Sequence, residues 1–140
     1  VLNQINILIE QNNPDLLINV DKNATIYSHK AYLESIILNL LTNSIKYRSL
    51  ERIAKISIAL LDKKDSMELT FEDNGIGIDL SKYKDKLFGL YQRFHNYPDS
   101  KGLGLYLVKS QIESMGGTIA IESEVNKGTR FRINFKKTEE

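Results

Sequence analysis

The segment spanning residues 29–48 places the strongest constraint on how this chain can fold. Its apolar residues recur three and four positions apart, as on one face of a helix, and they are Leu33, Ile36, Ile37, Leu40, Leu41 and Ile45. A helix with so wide an apolar face must be buried along most of its length. Residues 67–72 offer a surface to cover it, because apolar and polar side chains alternate there as in a half-buried strand. Together the two patterns predict a helix packed on a sheet.

The remaining segments extend this arrangement. Strand patterns occur at residues 16–20, 24–27, 54–61, 118–123 and 129–135, a long helix at 103–115, and a short helix at 2–9. Gly116 and Gly117 end the long helix, and residues 126–128 form a hairpin turn. Residues 74–101 show little periodicity, which is typical of a functional loop or lid. The prediction is an α/β (α+β) two-layer sandwich, with a mixed sheet of about five strands and about three helices on one face.

Length and composition exclude several other classes of protein. The 140 residues fit one domain, residues 1–140, with 41% hydrophobic and 26% charged residues. A net charge of +1 argues against general affinity for nucleic acid or anionic membranes. There is no cysteine for disulfides, and no apolar run reaches the roughly 20 residues of a membrane helix. The lack of cysteine agrees with a reducing, intracellular setting, which we expect to be the cytoplasm. Because the sequence opens without Met, we expect a domain of a longer protein.

An acid at the end of a predicted strand, Asp73, is followed by a glycine-rich turn at residues 74–77. A carboxylate there can accept a hydrogen bond from an exocyclic amine, and the glycines let a planar base lie against the backbone. The simpler interpretation is a turn, for which Asp-Asn-Gly is favourable. The second glycine, with Ile78 and Asp79 after it, favours a binding site.

The predicted helix at residues 29–48 carries Asn39, Asn43 and Lys46 on one face, since positions three and four apart stack on the same side. Asparagine is a poor helix former, so two of them on a mostly buried helix require another reason. An amide oxygen is a hard ligand suited to Mg²⁺, and a lysine one turn away can meet a phosphate. The simpler interpretation is a solvated polar edge of the helix.

A glycine pair, Gly102 and Gly104, precedes the second long helix. Backbone N–H groups at a helix N-terminus, reached through glycines, bind phosphate well, although such a pair is more often only a tight turn. The chain contains neither Gly-x-Gly-x-x-Gly nor Gly-x-x-x-x-Gly-Lys, which excludes the Rossmann and P-loop nucleotide sites.

The order of these motifs resembles that of the catalytic ATP-binding domain of two-component sensor histidine kinases, whose Bergerat fold is shared with DNA gyrase, the Hsp90 chaperone and MutL. The resemblance covers essentially the whole chain. It rests on five motifs: the N box at 39–47, the first glycine box at 73–77, the F box at 87–94, the second glycine box at 102–105 and the last glycine motif at 127–131. It implies an ATP lid at about 79–101, with Phe88 and Phe94 as its anchors, and ATP and Mg²⁺ as cofactors.

The resemblance also implies roles for single residues. Asp73 would bond the adenine amino group, Asn43 would hold Mg²⁺, and Lys46 and Arg93 would meet phosphate oxygens. The catalytic set is therefore Asn43, Lys46 and Arg93, with Asn43 as the metal ligand. The whole nucleotide-binding set is Asn39, Asn43, Lys46, Tyr47, Asp73, Gly75, Gly77, Ile78, Arg93, Gly102, Leu103, Gly104, Leu105 and Thr129.

One position departs from the pattern of the family that this chain resembles, and a second distinguishes members of the superfamily from one another. The second glycine box usually begins one glycine earlier, where this chain has Ser100 followed by Lys101, so nucleotide affinity or lid motion could differ. Related ATPases have a glutamate base one turn before the magnesium asparagine, where this chain has Asn39. An amide cannot take a proton, so we expect phosphoryl transfer rather than hydrolysis.

The phosphoacceptor histidine is expected outside this chain. The family's acceptor is followed by an acid, whereas Lys30 follows His29 and Asn96 follows His95. The expected partners are a dimerisation and phosphoacceptor domain of the same parent protein, which residues 1–12 would adjoin, and a response regulator. No nucleic acid or membrane contact is expected, and the isolated domain should be monomeric. Two alternatives are a degenerate nucleotide-binding or interaction module and an anti-sigma-type serine kinase of the same fold.

Overall fold

The computed structural model describes residues 15–20, 30–83, 88 and 104–136. Its elements in chain order are β1 (Asp15–Val20), α1 (Lys30–Lys46), β2 (Lys55–Asp62), β3 (Ser66–Asp73), α2 (Leu80–Tyr83), α3 (Gly104–Ser114), β4 (Thr118–Glu124) and β5 (Gly128–Lys136). They lie within one or two residues of the predicted segments, apart from α2. The segments predicted at 2–9 and 24–27, and most of the lid, lie outside the described residues.

The five strands form one mixed sheet in the order β1-β2-β3-β5-β4. Strand β1 is parallel to β2, and the other neighbouring pairs are antiparallel. Strand β3 is therefore central, and its last residue, Asp73, lies opposite Thr129 at the start of β5. The turn between β4 and β5 lies at the same end of the sheet, because Glu124 pairs with Gly128.

A single hydrophobic core joins the helices to one face of the sheet. Alternate residues of β3 and β5 are buried with the apolar faces of α1 and α3, and Ile36, Phe71, Val108 and Ile133 are fully inaccessible. The opposite face of the sheet carries ion pairs such as Arg130–Glu72, with an N–O distance of 2.8 Å. The predicted two-layer sandwich is confirmed, with α1 buried as its apolar pattern required.

The ends of the shorter elements have local causes. Helix α3 stops at a left-handed Gly116, φ 74°, where Gly117 N donates to Ile112 O at 2.9 Å. Helix α2 was not predicted, because four residues are too few to show periodicity. Its cap is nevertheless local: Asp79 Oδ1 accepts hydrogen bonds from the Ser81 hydroxyl and, at 3.1 Å, from the Ser81 N–H. The bond from the hydroxyl is the main cause that lowers the pKa of Asp79.

Among the described residues, no helix is long and apolar enough to cross a membrane.

Candidate functional site

The Asp73 carboxylate is held at the end of β3 by groups from three parts of the chain. Ser44 Oγ on α1 donates to Oδ2 at 2.8 Å, and the Gly75 N–H donates to Oδ1 at 2.9 Å. Burial raises the pKa of Asp73, and the hydrogen bonds from Gly75, Ser44 and the Thr129 backbone oppose that rise. The carboxylate is therefore an oriented acceptor in a half-buried place.

The glycines around Asp73 are required by close backbone approaches. Gly77 has φ 75°, and a Cβ there would overlap the Glu124 carbonyl. Gly128 has φ 137°, and a Cβ there would overlap the Asp73 carbonyl. The first glycine box and the last glycine motif therefore pack directly against each other, which only glycine allows. The loop after Asp73 is thereby more than a favourable turn.

A serine links the two glycine motifs. Ser123 Oγ accepts the Ile78 N–H at 2.8 Å, donates to Gly128 O at 2.9 Å and lies 2.8 Å from Thr129 Oγ1. Thr129, a member of the predicted nucleotide-binding set, is buried. The contacts hold Ile78 and Thr129, which are far apart in sequence, on either side of one hydroxyl.

Helix α1 brings the N box to the loop that follows Asp73. Asn39 Nδ2 donates to Ser35 O one turn earlier at 3.0 Å, so the amide group is oriented and its oxygen is left as an acceptor. Lys46 is the last residue of α1. Tyr47, which follows it, accepts the Ile76 N–H at its backbone oxygen at 3.0 Å. The end of the N box is therefore joined to the loop of the first glycine box.

The amide oxygen that Asn43 supplies from α1 is suited to Mg²⁺ that is bound together with a nucleotide. Within the described part of the chain, no group of three His, Asp or Glu side chains could hold a metal ion by itself. Mg²⁺ typically takes one or two protein oxygens plus substrate phosphates and water. A single amide oxygen from Asn43 fits that requirement, whereas an all-protein metal cage is not available among these residues.

Several predicted residues fall outside the described part of the chain. They are Arg93, Phe94, Ser100, Lys101, Gly102, Leu103, His29 and His95, and their predicted roles stay predictions. Gly104 begins α3. The Leu105 side chain is buried in the core, so only its backbone is left to meet a nucleotide. Phe88 packs against the core, with Lys109 Nζ 5.5 Å from its ring centre, and its role as a lid anchor stays a prediction.

Sequence reasoning missed two residues that shape the site, Ser44 and Ser123. Ser44 is 3% exposed and lies on the buried side of α1, near Leu40 and Leu41. Ser123 follows Ile119 and Ile121 in the alternation of β4 and so faces inward. A hydroxyl on an otherwise apolar face needs a hydrogen-bond partner, and that was the available signal.

Comparison with known proteins shows the family to which this chain belongs. Residues 29–139 match the model of the histidine kinase-, DNA gyrase B- and HSP90-like ATPases. This chain belongs to that family of ATPases. The match extends over α1, strands β2 to β5 and α3, so it includes all the described motifs.

Relatives narrow the resemblance to sensor histidine kinases. The chain is 33% identical over 138 residues to the sensor protein RprX of Bacteroides fragilis, covering 95% of this chain and 26% of RprX. It is 34% identical over 137 residues to the signal transduction histidine-protein kinase ArlS of Staphylococcus aureus, covering 91% of this chain and 29% of ArlS. The chain thus spans little more than a quarter of these relatives, and it matches them as the catalytic ATP-binding domain of a sensor histidine kinase.

Solved structures show the same fold. The mycobacterial sensor histidine kinase MprB superposes with a TM-score of 0.80 at 19% identity, covering 96% of this chain and 91% of that one. A nucleotide-free catalytic domain of histidine kinase ThkA superposes with a TM-score of 0.78 at 22% identity, covering 99% and 95%. These similarities confirm the mixed sheet and helix layer.

Proposed function

We propose that this domain binds Mg-ATP and donates the γ-phosphoryl group to a histidine on a separate dimerisation and phosphoacceptor domain of its parent protein. It would then act as the kinase half of a two-component system whose product passes to a response regulator. The observation that supports this best is the Asp73 carboxylate, held by Ser44 and Gly75 beside a loop that is joined to the end of the N box.

The proposed adenine site follows from the hydrogen bonds around Asp73. Ser44 and Gly75 each donate to a different carboxylate oxygen, which leaves further lone pairs for an exocyclic amine. An ionised acceptor makes a stronger hydrogen bond than a neutral one, so the desolvated carboxylate favours an adenine amino group. Gly77 and Thr129 would line the same pocket.

The proposed phosphate site uses the polar face of α1. Asn43 would supply one oxygen to Mg²⁺, and Lys46, with Arg93 from the lid, would neutralise phosphate oxygens. Mg²⁺, when bound, would stabilise the charge that develops as the phosphoryl group leaves. In the transfer, a bond forms between the acceptor nitrogen and the γ-phosphorus, the bond from that phosphorus to the β–γ bridging oxygen breaks, and ADP keeps the electron pair.

Transfer is favoured over hydrolysis because of Asn39. A water would need a base to remove its proton, and the Asn39 amide cannot take one. Its nitrogen is moreover engaged with the Ser35 carbonyl. We infer that the domain delivers phosphate to a partner, in the cytoplasm, and that in isolation it is a monomer that holds ATP.

Calorimetric titration of the isolated domain with ATP, with and without Mg²⁺, tests the proposal. Wild type should bind ATP saturably, and Asp73→Asn should bind it more weakly because the adenine amine loses its charged acceptor. Asp65→Asn is the matched control, since Asp65 is exposed in the β2–β3 turn. No binding by a folded wild type would overturn the proposal. Equal ATP affinity in Asp73→Asn and Asp65→Asn would mean that the adenine ring binds elsewhere.

A further inference from the structure

Arg52, between α1 and β2, donates three hydrogen bonds to backbone carbonyls. Its Nε donates to Asn74 O at 2.7 Å, and its Nη2 donates to Gly75 O and to Asn126 O, both at 2.8 Å. A guanidinium is rigid and planar, so bonds from two of its nitrogens fix the positions of their acceptors relative to one another. Two of these acceptors are consecutive residues of the loop that follows Asp73.

The hydrogen bond from Arg52 to Asn74 O orients the peptide group that donates to Asp73. In a trans peptide the C=O and N–H groups point to opposite edges of one plane. Arg52 holds Asn74 O on one edge of the 74–75 peptide, so the Gly75 N–H points to the other. There it donates to Asp73 Oδ1 at 2.9 Å. Arg52 is thus connected to the Asp73 carboxylate through one rigid peptide group.

The next peptide is held in the same way. Gly75 O accepts from Arg52 on one edge, and the Ile76 N–H donates to Tyr47 O at 3.0 Å on the other. Two consecutive peptide planes are therefore fixed on both edges. Hydrogen bonds in such chains polarise one another, so the cationic guanidinium also strengthens the donor that faces the carboxylate.

The third acceptor ties this loop to the β4–β5 turn. Asn126 O accepts from Arg52, while the Asn126 N–H donates to Ile76 O at 2.8 Å. Asn126 itself is held in a left-handed conformation, φ 67°. The loop after Asp73 is therefore locked between the end of α1 and the turn next to Thr129, with Arg52 in contact with two of the three segments.

We propose that Arg52 is a positioning residue for base recognition, which holds the 74–76 backbone so that the Gly75 N–H keeps the Asp73 carboxylate directed at the exocyclic amine. This inference rests on the proposed function, because Asp73 selects a base only if the domain binds ATP. The planar fork, rather than the positive charge alone, carries the role.

The test compares ATP with inosine triphosphate, which has a carbonyl oxygen where ATP has the exocyclic amine. Arg52→Lys keeps the charge but cannot hold two carbonyls in one plane, and Arg52→Gln removes the charge. Both variants should bind ATP about tenfold more weakly, or about 1.4 kcal/mol, and bind inosine triphosphate almost as wild type does. Arg132→Gln is the control, since Arg132 pairs with Glu122 on the exposed sheet face, 3.0 Å away, remote from the loop.

Equal weakening of both nucleotides would make Arg52 merely structural, and unchanged ATP affinity in Arg52→Lys would remove the fork from the explanation. Either result would overturn this inference and leave ATP binding by wild type intact.

A second measurement does not depend on nucleotide. The Gly75 amide proton resonance should move upfield in both Arg52 variants and stay in place in Arg132→Gln. An unmoved Gly75 resonance would overturn the link to Asp73 even if wild type bound no ATP, a result that would separately end the proposed function.

Discussion

Ser44 and Asp73, which are 29 positions apart in the sequence, are joined by a 2.8 Å hydrogen bond from the serine hydroxyl to Oδ2. The bond connects the buried side of α1 to the end of β3. It also places Asn43, the proposed magnesium ligand, one residue from a direct contact of the proposed adenine acceptor. The two ends of the proposed nucleotide site would thus be built on one helix–strand contact.

Ser44→Ala should weaken both the fold and the site. The variant leaves one oxygen of a desolvated carboxylate without its donor, so we expect a loss of about 1 kcal/mol in the free energy of unfolding. Since the Ser44 hydrogen bond lowers the pKa of Asp73, that pKa should rise further in the variant. Urea unfolding and an NMR titration of Asp73 measure the two effects. Ser114→Ala is the control, because Ser114 is exposed and its hydroxyl donates to Ser110 O of the same helix. Equal results for the two variants would contradict the prediction.

The pH dependence of stability should carry the signature of Asp73. Burial raises its pKa above 3.8 in the folded state, so the folded state binds this proton more tightly than the unfolded chain does. The stability contributed by this group is therefore present below pH 3.8, and it is lost as pH rises through the pKa of the folded state. The Asp73→Asn variant has no carboxyl group at this position to titrate. Its free energy of unfolding minus that of wild type should therefore increase as pH rises through this window, and then level off. Urea unfolding at a series of pH values measures it.

Asp79→Asn supplies a control of opposite sign. The Ser81 hydrogen bond lowers the pKa of Asp79, so the stability from this group is present above 3.8 and is lost as pH falls through the folded pKa. The same difference should therefore decrease as pH rises. A difference for Asp73→Asn that decreases as pH rises, as it should for Asp79→Asn, would show that the raised pKa of Asp73 is wrong.

Gly77→Ala should be far more damaging than Gly116→Ala. Both glycines have positive φ, 75° and 74°, so both variants suffer the strain of a left-handed alanine, about 1 kcal/mol. Only at Gly77 would the new Cβ also overlap a carbonyl, that of Glu124, whereas nothing lies within 4 Å at Gly116. Thermal unfolding of the two variants separates the two effects. Similar losses would mean that the close approach of the Gly77 loop to β4 yields easily.

Asn43→Asp should change the Mg²⁺ dependence of ATP binding. A carboxylate binds the metal more strongly than an amide but adds charge beside the phosphates, so ATP should bind more weakly without Mg²⁺ and the gain on adding Mg²⁺ should increase. Calorimetry at several Mg²⁺ concentrations measures both. A response identical to that of wild type would remove Asn43 from the metal site.

The isolated domain should show no steady ATP turnover. Asn39 stands where related ATPases have their base, and its amide has no proton-accepting function. A continuous phosphate-release assay with Mg-ATP is the measurement. Turnover at rates of about 1 s⁻¹ or more, ordinary for enzymes, would contradict the role given to Asn39, provided that Asp73→Asn abolishes it and so excludes a contaminant.

The fold was predictable because its signals are local. The apolar spacing along α1 and the alternation along β3 record which face of each element is buried, and both were read correctly from short stretches of sequence. The turn at residues 126–128 and the end of α3 at Gly116 followed from the backbone freedom of Gly and Asn. Helix α2 was missed because its signal is one cap, Asp79 with Ser81, and no period.

The sequence by itself determined the family, the two-layer sandwich and the motifs that mark a nucleotide site, since periodicity and motif order are properties of the chain alone. Only the tertiary structure decided which side chains hold Asp73 and the loops beside it in place. Ser44, Arg52 and Ser123 act through partners that lie far from them in sequence or on another element, and those contacts exist because β5 pairs with β3 and α1 packs across it. A hydrogen bond needs two atoms within about 3 Å, and no local pattern states that distance.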